Sequence, residues 1–477
     1  MISPQRVAKN TIYTLSSAVS QKLLTMAFFI IVARYYGPAE QGHYSSALAF
    51  ATLFSIFIDL GISSALTRET ARRHQSAAPL VSQMFVLRLA SALIVYPGMI
   101  AIAYAFHYPL SLIAMIVVAG VIAVVDTFTV ACWFVLRGFQ NLMYESIGGA
   151  LAVFAMVVSG FSFIAFGLPI QSLLWSVLIG SGVNFAISLF TLLAKSGLSL
   201  SLRPNFPSLR ELIRISAPFA AAGIFARIYT FGDMSLLPAL ASAQAAGWYA
   251  AGQKVMLALN IIPASLSSSM YPAMSASFAS HKERVGFLCS RGLLYLAIVV
   301  LPIAAGMFLF ARHLVLFVYS ESYLPTARVF ELLTPAIVGG FLSFPLGAVL
   351  ASANRQGVNT AIGAICAFVN IVGNCLLIPL FAERGAAITA SLTYLTQFFV
   401  SLVCTWEYIR PNLSFLILGC ARVLLATAGM ACFVILTRDS FPVLFVVAGS
   451  MLVYAVCVVL FRVVRISEMR TLIFFRK

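Results

Sequence analysis

Long apolar runs separated by short polar stretches extend along almost the whole chain. A sliding window of about 19 residues finds about fourteen such runs, each near the length that an α-helix needs to cross the hydrocarbon of a bilayer. The pattern predicts an all-α polytopic membrane protein with about 14 transmembrane helices. The predicted spans are residues 11–36, 42–67, 80–106, 109–136, 144–167, 170–194, 212–237, 245–278, 286–311, 325–352, 356–381, 385–408, 414–437 and 441–463.

Two pairs of segments within the chain resemble each other. GHYSSA at residues 42–47 resembles GWYAAG at residues 247–252, an offset of 205, and residues 135–154 resemble residues 349–368, an offset of 214. Each half then contains six predicted helices, and both halves enter the membrane from the same side, as in transporters built from parallel repeats. The repeat predicts two lobes related by a pseudo-two-fold axis along the membrane normal.

This repeat divides the chain into four predicted regions. They are an N-lobe of helices 1–6 at residues 1–195, a cytoplasmic linker leading into an amphipathic helix start at residues 196–211, a C-lobe of helices 7–12 at residues 212–409, and two further helices with a basic cytoplasmic tail at residues 410–477.

Composition and charge agree with a membrane protein. Of the 477 residues, 61% are hydrophobic and 9% are charged, which excludes the soluble classes. The net charge of +16 could indicate a nucleic-acid partner, but the basic residues cluster in alternate short loops, as the positive-inside rule describes. That bias predicts cytoplasmic N- and C-termini and no nucleic-acid partner.

No motif for a cofactor, a metal or a catalytic residue is present in the sequence. The eight cysteines fall in apolar segments without CxxC or Cys/His spacing, so no metal site is predicted. The chain also lacks a GxxxxGK[ST] phosphate loop and the HExxH and GxSxG motifs. We therefore predict a protein that is not an enzyme and that requires no cofactor.

Four basic residues fall deep inside predicted spans, where a charge costs about 2.5–3.5 kcal/mol on insertion scales. The offset of 205 places Lys22 of the first helix opposite Arg227 of the seventh, and Arg88 and Lys254 are similarly deep. Polar side chains share the helix faces of the first pair. We predict a substrate-binding central cationic cavity whose residues are Lys22, Arg88, Arg227, Lys254, Gln21, Thr25 and Thr230.

Three acidic residues, Asp59, Asp126 and Asp233, are also deep in predicted spans. One interpretation is that they pair with the buried cations, because intramembrane charges usually pair. The other is that they couple transport to a proton or sodium gradient. Complete pairing would still leave one of the four cations in excess, which favours an anionic ligand.

Several segments resemble the polysaccharide transporter family, the Wzx-type oligosaccharide and O-antigen flippases of the MATE/MOP superfamily. The main one is VARYYGPAEQGHYSSALAFATLFSIFIDLGISSALTRETARR at residues 32–73. It is supported by RPNFPSLRELIRISAPF at residues 203–219, GWYAAGQKV at residues 247–255 and RGAAITASLTYLTQ at residues 384–397. Their order and spacing across two six-helix halves carry the resemblance.

The resemblance implies a flippase that carries a polyprenyl-pyrophosphate-linked oligosaccharide repeat unit from the cytoplasmic to the outer leaflet of the bacterial inner membrane by alternating access. It implies membrane lipids as partners, together with the polymerase and glycosyltransferases of surface polysaccharide synthesis, and we favour a monomer. Lys22 and Arg227 match the family's basic positions on the first and seventh helices, and Arg88 and Lys254 are carried over with them.

Two other functions remain as alternatives. A cation-coupled multidrug antiporter of the same fold would use acidic cavity residues to bind organic cations, whereas the first helix here carries Lys22 and no acid. A membrane polysaccharide polymerase or ligase would need catalytic side chains on an outer loop, and the longest predicted outer loop, residues 312–325, offers only His313 and Glu321.

Overall fold

The computed structural model describes residues 4–73, 78–138, 143–195, 203–278 and 282–463, and every regular element in these ranges is helical. The all-α prediction is confirmed. Seventeen α-helices follow in chain order within these ranges: α1 (Pro4–Asp59), α2 (Ile62–Arg73), α3 (Ala78–Ala105), α4 (Leu110–Gly138), α5 (Met143–Ala165), α6 (Ser172–Lys195), α7 (Phe206–Leu240), α8 (Ala243–Leu259), α9 (Ile261–Phe278), α10 (Lys282–Leu309), α11 (Ala311–Val318), α12 (Thr326–Ser352), α13 (Gln356–Phe381), α14 (Glu383–Cys404), α15 (Trp406–Ile409), α16 (Leu413–Thr437) and α17 (Val443–Leu460).

Within the described residues, 11 helices are long and apolar enough to cross a membrane, or 12 if the bent α7 counts as one further span. The predicted number of about fourteen is compatible with this result. The two numbers differ because helices are joined or divided at different points. The helix α1 contains the first two predicted spans, and the predicted eighth span, residues 245–278, is divided into α8 and α9. Neither α8 nor α9 counts as a span alone.

The helix α1 changes direction at Gly37. Its backbone there has φ 79° and ψ 176°, which is not helical, and Pro38 follows. Residues 17–59 contain 43 residues, or about 65 Å of helix at 1.5 Å per residue, enough for two crossings of a bilayer. Glycine suits this position because a positive φ is strained for residues with a Cβ.

The second predicted span ends earlier than expected. It was predicted to reach residue 67, but α1 ends at Asp59, and Leu60 and Gly61 have φ values of 48° and 71°. The short helix α2 then begins at Ile62. Two consecutive residues of positive φ interrupt the helical hydrogen bonds, and an apolar count along the sequence does not detect such a turn.

The chain forms two compact units, residues 1–250 and residues 251–477. In the first unit, α7 packs against α1, α2 and α3, and α4 packs against α1 and α6. In the second, α12 packs against α10 and α14, and α16 packs against α10 and α17. The four predicted regions stay a prediction; residues 196–202 of the predicted linker and residues 464–477 of the predicted tail lie outside the described residues.

Two glycines of the internal repeat make reciprocal backbone contacts in the first unit. A Cβ on Gly42 would lie 1.8 Å from the Ala243 carbonyl oxygen, and a Cβ on Gly247 would lie 1.8 Å from the Pro38 carbonyl oxygen. These four positions are the two pairs that the offset of 205 matches, 38 with 243 and 42 with 247. The contact is therefore self-complementary, as a two-fold relationship requires.

The start of α7 is fixed by side-chain hydrogen bonds. The Asn205 side chain accepts a hydrogen bond from the Ser208 backbone N–H at 3.2 Å, which caps the helix. From α3, the buried Gln83 amide donates to the Arg203 carbonyl oxygen at 2.9 Å and accepts from the Asn205 backbone N–H at 3.0 Å. These contacts hold the first turn of α7 against α3.

Candidate functional site

A cavity of about 730 Å³ lies within the first unit, between helices α1, α2, α4, α5, α6 and α7. Its wall combines charged, hydroxyl-bearing and aromatic side chains. The lining residues are Ser17, Ala18, Gln21, Thr52, Ser55, Ile56, Asp59, Ser63, Ala123, Asp126, Thr127, Thr129, Val130, Trp133, Phe134, Arg137, Glu145, Ser146, Gly149, Asn184 and Arg227.

The hydroxyl groups of the wall are mostly used as donors inside the protein. Thr52 and Ser55 donate to the carbonyl oxygens of Leu48 and Thr52, both at 2.7 Å, and Ser17 donates to the Ser146 carbonyl oxygen at 2.8 Å. A hydroxyl that donates to a carbonyl keeps its oxygen lone pairs as acceptors, and Ser17 Oγ already uses one of them to accept from Gln21 Nε2 at 2.8 Å. The wall therefore offers acceptors, to which the O–H groups of a sugar can donate.

The most buried charge near the cavity is the ion pair between Asp59 of α1 and Arg88 of α3. The Arg88 side chain is 0% exposed, and it donates to the Asp59 carboxylate, to the Thr127 carbonyl oxygen and, at 2.7 Å, to the Ser63 hydroxyl. Asp59 lines the cavity and Arg88 does not. For Asp59 and Arg88, the structure shows an ion pair between an intramembrane acid and a buried cation, which is one of the two interpretations of the deep acidic residues.

A second ion pair lies in the cavity wall itself. Arg137, in the last turn of α4, donates from Nε to Glu145 Oε2 at 2.9 Å and from Nη2 to Glu145 Oε1 at 2.5 Å. The Arg137 and Glu145 side chains are 40% and 23% exposed. The Arg137 guanidinium also stands over the Phe134 ring, with Cζ 4.4 Å from the ring centroid.

Arg227 and Asp126 are the charges of the wall that form no ion pair within 4 Å with a described residue. The Arg227 guanidinium carbon Cζ lies 5.6 Å from the centroid of the Phe231 ring, and the guanidinium interacts electrostatically with the Asp59 carboxylate. The Asp126 carboxylate is hydrogen-bonded to the Ser181 side chain. Arg227 can therefore meet an anionic group of a ligand, and Asp126 can accept a proton or face a cation.

The wall of this cavity within the first unit is not cationic by count. Three carboxylates, Asp59, Asp126 and Glu145, line it beside two guanidinium groups, Arg137 and Arg227. With Arg88 behind Asp59, three positive charges face three negative ones. Buried charges without counter-ions are costly, and the fold satisfies most of them internally.

All ten predicted site residues lie within the described residues, and four of them line this cavity: Gln21, Asp59, Asp126 and Arg227. Lys22 follows Gln21 on α1, but its side chain is exposed and outside this wall. The Thr25 hydroxyl donates to the Gln21 carbonyl oxygen at 2.8 Å, within its own helix.

The remaining predicted residues lie apart from this wall. Asp233 is 2% exposed and accepts a hydrogen bond from the Tyr249 hydroxyl. Thr230 lies on α7 outside the lining, and Lys254 belongs to the second unit. Among the described residues, no group of three or more His, Cys, Asp or Glu side chains could hold a metal ion.

Most of the lining residues were not predicted from the sequence as site residues, among them Trp133, Arg137, Glu145 and Asn184. Arg137 and Glu145 stand at the ends of two consecutive predicted spans, where charged residues are ordinary solvated flanks. Trp133 donates from Nε1 to the Asn184 Oδ1 at 3.1 Å. Only the packing of α6 against both α4 and α5 shows that these side chains face one cavity.

Comparison with known proteins identifies two matching families. The model of the polysaccharide biosynthesis protein family matches residues 7–278, and that of the lipid II flippase MurJ family matches residues 149–456. Each match covers more than half of the chain.

Curated relatives are distant. The probable low-salt glycan biosynthesis flippase Agl15 of Haloferax volcanii is 22% identical over 240 residues, 50% of this chain and 50% of that protein. The probable lipid II flippase MurJ of Buchnera aphidicola subsp. Schizaphis graminum is 24% identical over 279 residues, 56% of this chain and 54% of that protein. The chain thus matches these relatives over about half of their length.

Solved structures share the fold over most of the chain. A lipid II flippase MurJ in an inward closed conformation matches with a TM-score of 0.74 at 14% identity, covering 96% of this chain and 99% of that one. An inward-facing multidrug resistance MATE family transporter of the MOP superfamily matches with a TM-score of 0.69 at 15% identity, covering 84% and 98%. At such identities the likeness shows the fold alone.

Proposed function

Because this chain belongs to the polysaccharide biosynthesis protein family, we propose that it is a flippase for a lipid-linked oligosaccharide. It would move a polyprenyl-pyrophosphate-linked repeat unit from the cytoplasmic to the outer leaflet of the bacterial inner membrane, for O-antigen or exopolysaccharide synthesis. The relatives that match it are named as flippases of glycan synthesis or of lipid II, which supports this class of cargo.

The observation that carries the proposal is the polar cavity among apolar helices. A pyrophosphate and its sugars cannot cross hydrocarbon unaided, because each charge and hydroxyl would lose its hydrogen bonds to water. The first unit encloses about 730 Å³ lined by hydroxyl acceptors, by the Gln21 amide and by Arg227. Such a wall replaces the lost water contacts while the lipid tail stays in the bilayer.

We assign the roles in this transport as follows. Arg227 binds the pyrophosphate, and the acceptor oxygens of Ser17, Thr52 and Ser55 bind sugar hydroxyl groups. Lys22, exposed on α1 beside Gln21, attracts the anionic head group on its way to the cavity. Thr25, Thr230 and Lys254 stay candidate contacts of other transport states, and Arg88 acts through Asp59.

Coupling to an ion gradient is assigned to the acids. Asp126 is the strongest candidate, because it lines the cavity and its described partner is the neutral Ser181 hydroxyl. Asp59 already forms an ion pair with Arg88, and Asp233 is buried against Tyr249. Binding of a cation has to differ between transport states to drive the cycle.

A cation-coupled multidrug antiporter is the second candidate, and Asp126 favours it. A carboxylate in a cavity with Trp133 and Phe134 could also receive an organic cation. Polysaccharide export and drug sensitivity of the same strain distinguish the two functions.

The test is complementation of a strain in which the native gene is deleted. The unmodified gene should restore surface polysaccharide without changing sensitivity to cationic drugs. Arg227→Ala should lower export about tenfold or more, because a charge-assisted contact is lost, and Arg227→Lys should retain most of it. Lys22→Ala should lower export less than Arg227→Ala does.

The matched control is Arg328→Ala, which removes an arginine whose ion pair with Glu331 lies in the second unit. Membrane abundance is measured for every variant by immunoblot. Normal export by an abundant Arg227→Ala protein would contradict the role of Arg227. Drug resistance restored in place of polysaccharide would contradict the flippase function itself.

Two further parts of the proposal concern the whole protein. We propose that it transports without chemical conversion of its cargo, and that it acts in the inner membrane with both termini in the cytoplasm. The polymerase and glycosyltransferases of the same polysaccharide pathway are its proposed partners.

A further inference from the structure

We infer that Arg137 is an anion-binding residue of the cavity, and that Glu145 occupies its donors as an internal competitor until an anionic substrate group displaces it. This inference rests on the proposed function, because that function supplies the phosphate-bearing cargo. It concerns two residues that no sequence motif singles out.

The geometry of the pair is that of a filled anion site. Glu145 accepts hydrogen bonds at 2.9 Å and 2.5 Å from two nitrogens of one guanidinium edge, the arrangement in which arginine also binds phosphate. Both side chains line the cavity and remain partly exposed, at 40% and 23%. A ligand in the cavity can therefore reach the two donors that Glu145 now uses.

The other ion pair at the cavity cannot exchange in this way. Arg88 is fully buried behind Asp59 and also binds the Thr127 carbonyl oxygen and the Ser63 hydroxyl. Removing Asp59 from it would leave a sealed cation without a counter-ion. Arg137 instead faces the cavity, and a partly exposed pair contributes little to stability, so its carboxylate can leave at low cost.

Each partner is supported when the pair opens. The Phe134 ring, 4.4 Å from the Arg137 guanidinium carbon, keeps the cation in the wall through a cation–π contact. Glu145 is in the first turn of α5, where the helix dipole and free backbone N–H groups stabilise a negative charge. The N-terminus of α5 therefore stabilises the Glu145 carboxylate after it has been displaced from Arg137.

The exchange has a consequence for turnover. Without a ligand, Glu145 neutralises the charge of Arg137. With a ligand bound, the anionic group of the ligand does so instead. Arg137 therefore has a counter-charge in both states. When Glu145 competes with the ligand, it weakens binding and favours release. A site that binds its ligand equally tightly in every state cannot move it.

The experiment is isothermal titration calorimetry of the purified full chain with farnesyl pyrophosphate and, separately, inorganic pyrophosphate, with farnesol as the uncharged control. Glu145→Gln should bind farnesyl pyrophosphate about threefold more tightly, because the competing charge is removed. Arg137→Gln should bind it about tenfold more weakly. Arg328→Gln and Glu331→Gln remove a pair of equal length, 2.5 Å, outside the cavity and should change nothing.

The outcomes separate this inference from the proposed function. If the unmodified protein restores export and binds farnesyl pyrophosphate, but Glu145→Gln does not bind it more tightly, the competitor role of Glu145 is overturned and the proposed function stands. Unchanged binding by Arg137→Gln overturns the anion site. If the unmodified protein neither restores export nor binds either pyrophosphate, the proposed function fails and the inference fails with it. Binding of inorganic pyrophosphate with equal affinity would identify the anion alone as the recognised group.

Discussion

The charged residues of the first unit fall into two groups that differ in burial. Arg88 is sealed by three acceptors and has no contact with the cavity, whereas Arg137 and Arg227 stand in the wall. Depth along a helix is therefore a poor guide to function, because a deep cation can be part of the packing. Exposure to the cavity separates the residues that can meet a ligand.

At the residue scale, we predict that Asp59→Asn destabilises the fold by about 3 kcal/mol, because it leaves the buried Arg88 guanidinium without a counter-ion. The double variant Asp59→Asn with Arg88→Met should recover part of that loss. Thermal unfolding of the detergent-purified proteins measures both effects. A double variant no more stable than Asp59→Asn would show that the ion pair is not the origin of the loss.

Residue roles were harder to predict from the sequence than positions of helices. The sequence indicated that Lys22, Arg88 and Arg227 are deep, but a helical wheel does not show which neighbours close around each one. Of these three, Arg227 lines the described cavity. The pairing of Asp59 with Arg88 joins α1 to α3 across 29 residues of sequence, and no local pattern contains that information.

At the element scale, most predicted spans and observed helices agree within a few residues. The spans 325–352, 356–381 and 414–437 correspond to α12, α13 and α16 almost residue for residue. Hydropathy predicts these bounds because about 20 apolar residues are needed to cross the bilayer. It finds the break at Gly37, between the predicted spans 11–36 and 42–67, but it fails where a helix breaks inside apolar sequence, as at Gly61 and Asn260.

The crossing of α1 and α8 gives a prediction about packing. Gly247→Ala places a Cβ 1.8 Å from the Pro38 carbonyl oxygen, so the two backbones must separate, at a cost of about 1–3 kcal/mol or more. Gly42→Ala should have a similar effect, because its contact with Ala243 is the reciprocal one. Thermal unfolding and membrane abundance measure the loss.

Gly182→Ala in α6 is the matched control for this crossing. A Cβ at Gly182 has no atom within 4 Å, and alanine favours a helix over glycine by about 1 kcal/mol. The control should be neutral or slightly stabilising. Equal stability of Gly247→Ala and Gly182→Ala would contradict the close contact.

At the scale of the whole molecule, the proposed orientation follows from the distribution of basic residues. Only five of the 30, Arg34, Arg312, Arg328, Arg384 and Arg438, fall on the predicted outer side, in loops or near the outer ends of spans. A green fluorescent protein fused after Lys477 should therefore fluoresce, because it folds in the cytoplasm. Alkaline phosphatase inserted at Gly167, between α5 and α6, should be active.

Reporters with the opposite result would reverse the orientation. Alkaline phosphatase activity after Lys477, together with a fluorescent insertion at Gly167, would place the termini outside. The direction of transport would then have to be reconsidered, while the fold and the cavity would be unaffected.

The contact between Trp133 and Asn184 gives the protein an optical property. The Trp133 indole lies in the cavity wall, and its N–H is bound to Asn184, so its emission depends on whether water or a ligand fills the space beside it. Trp175, Trp248 and Trp406 do not line this cavity. A chain with phenylalanine at those three positions would carry a single tryptophan, and excitation at wavelengths that its tyrosines do not absorb would report, without any attached dye, each filling and emptying of the cavity.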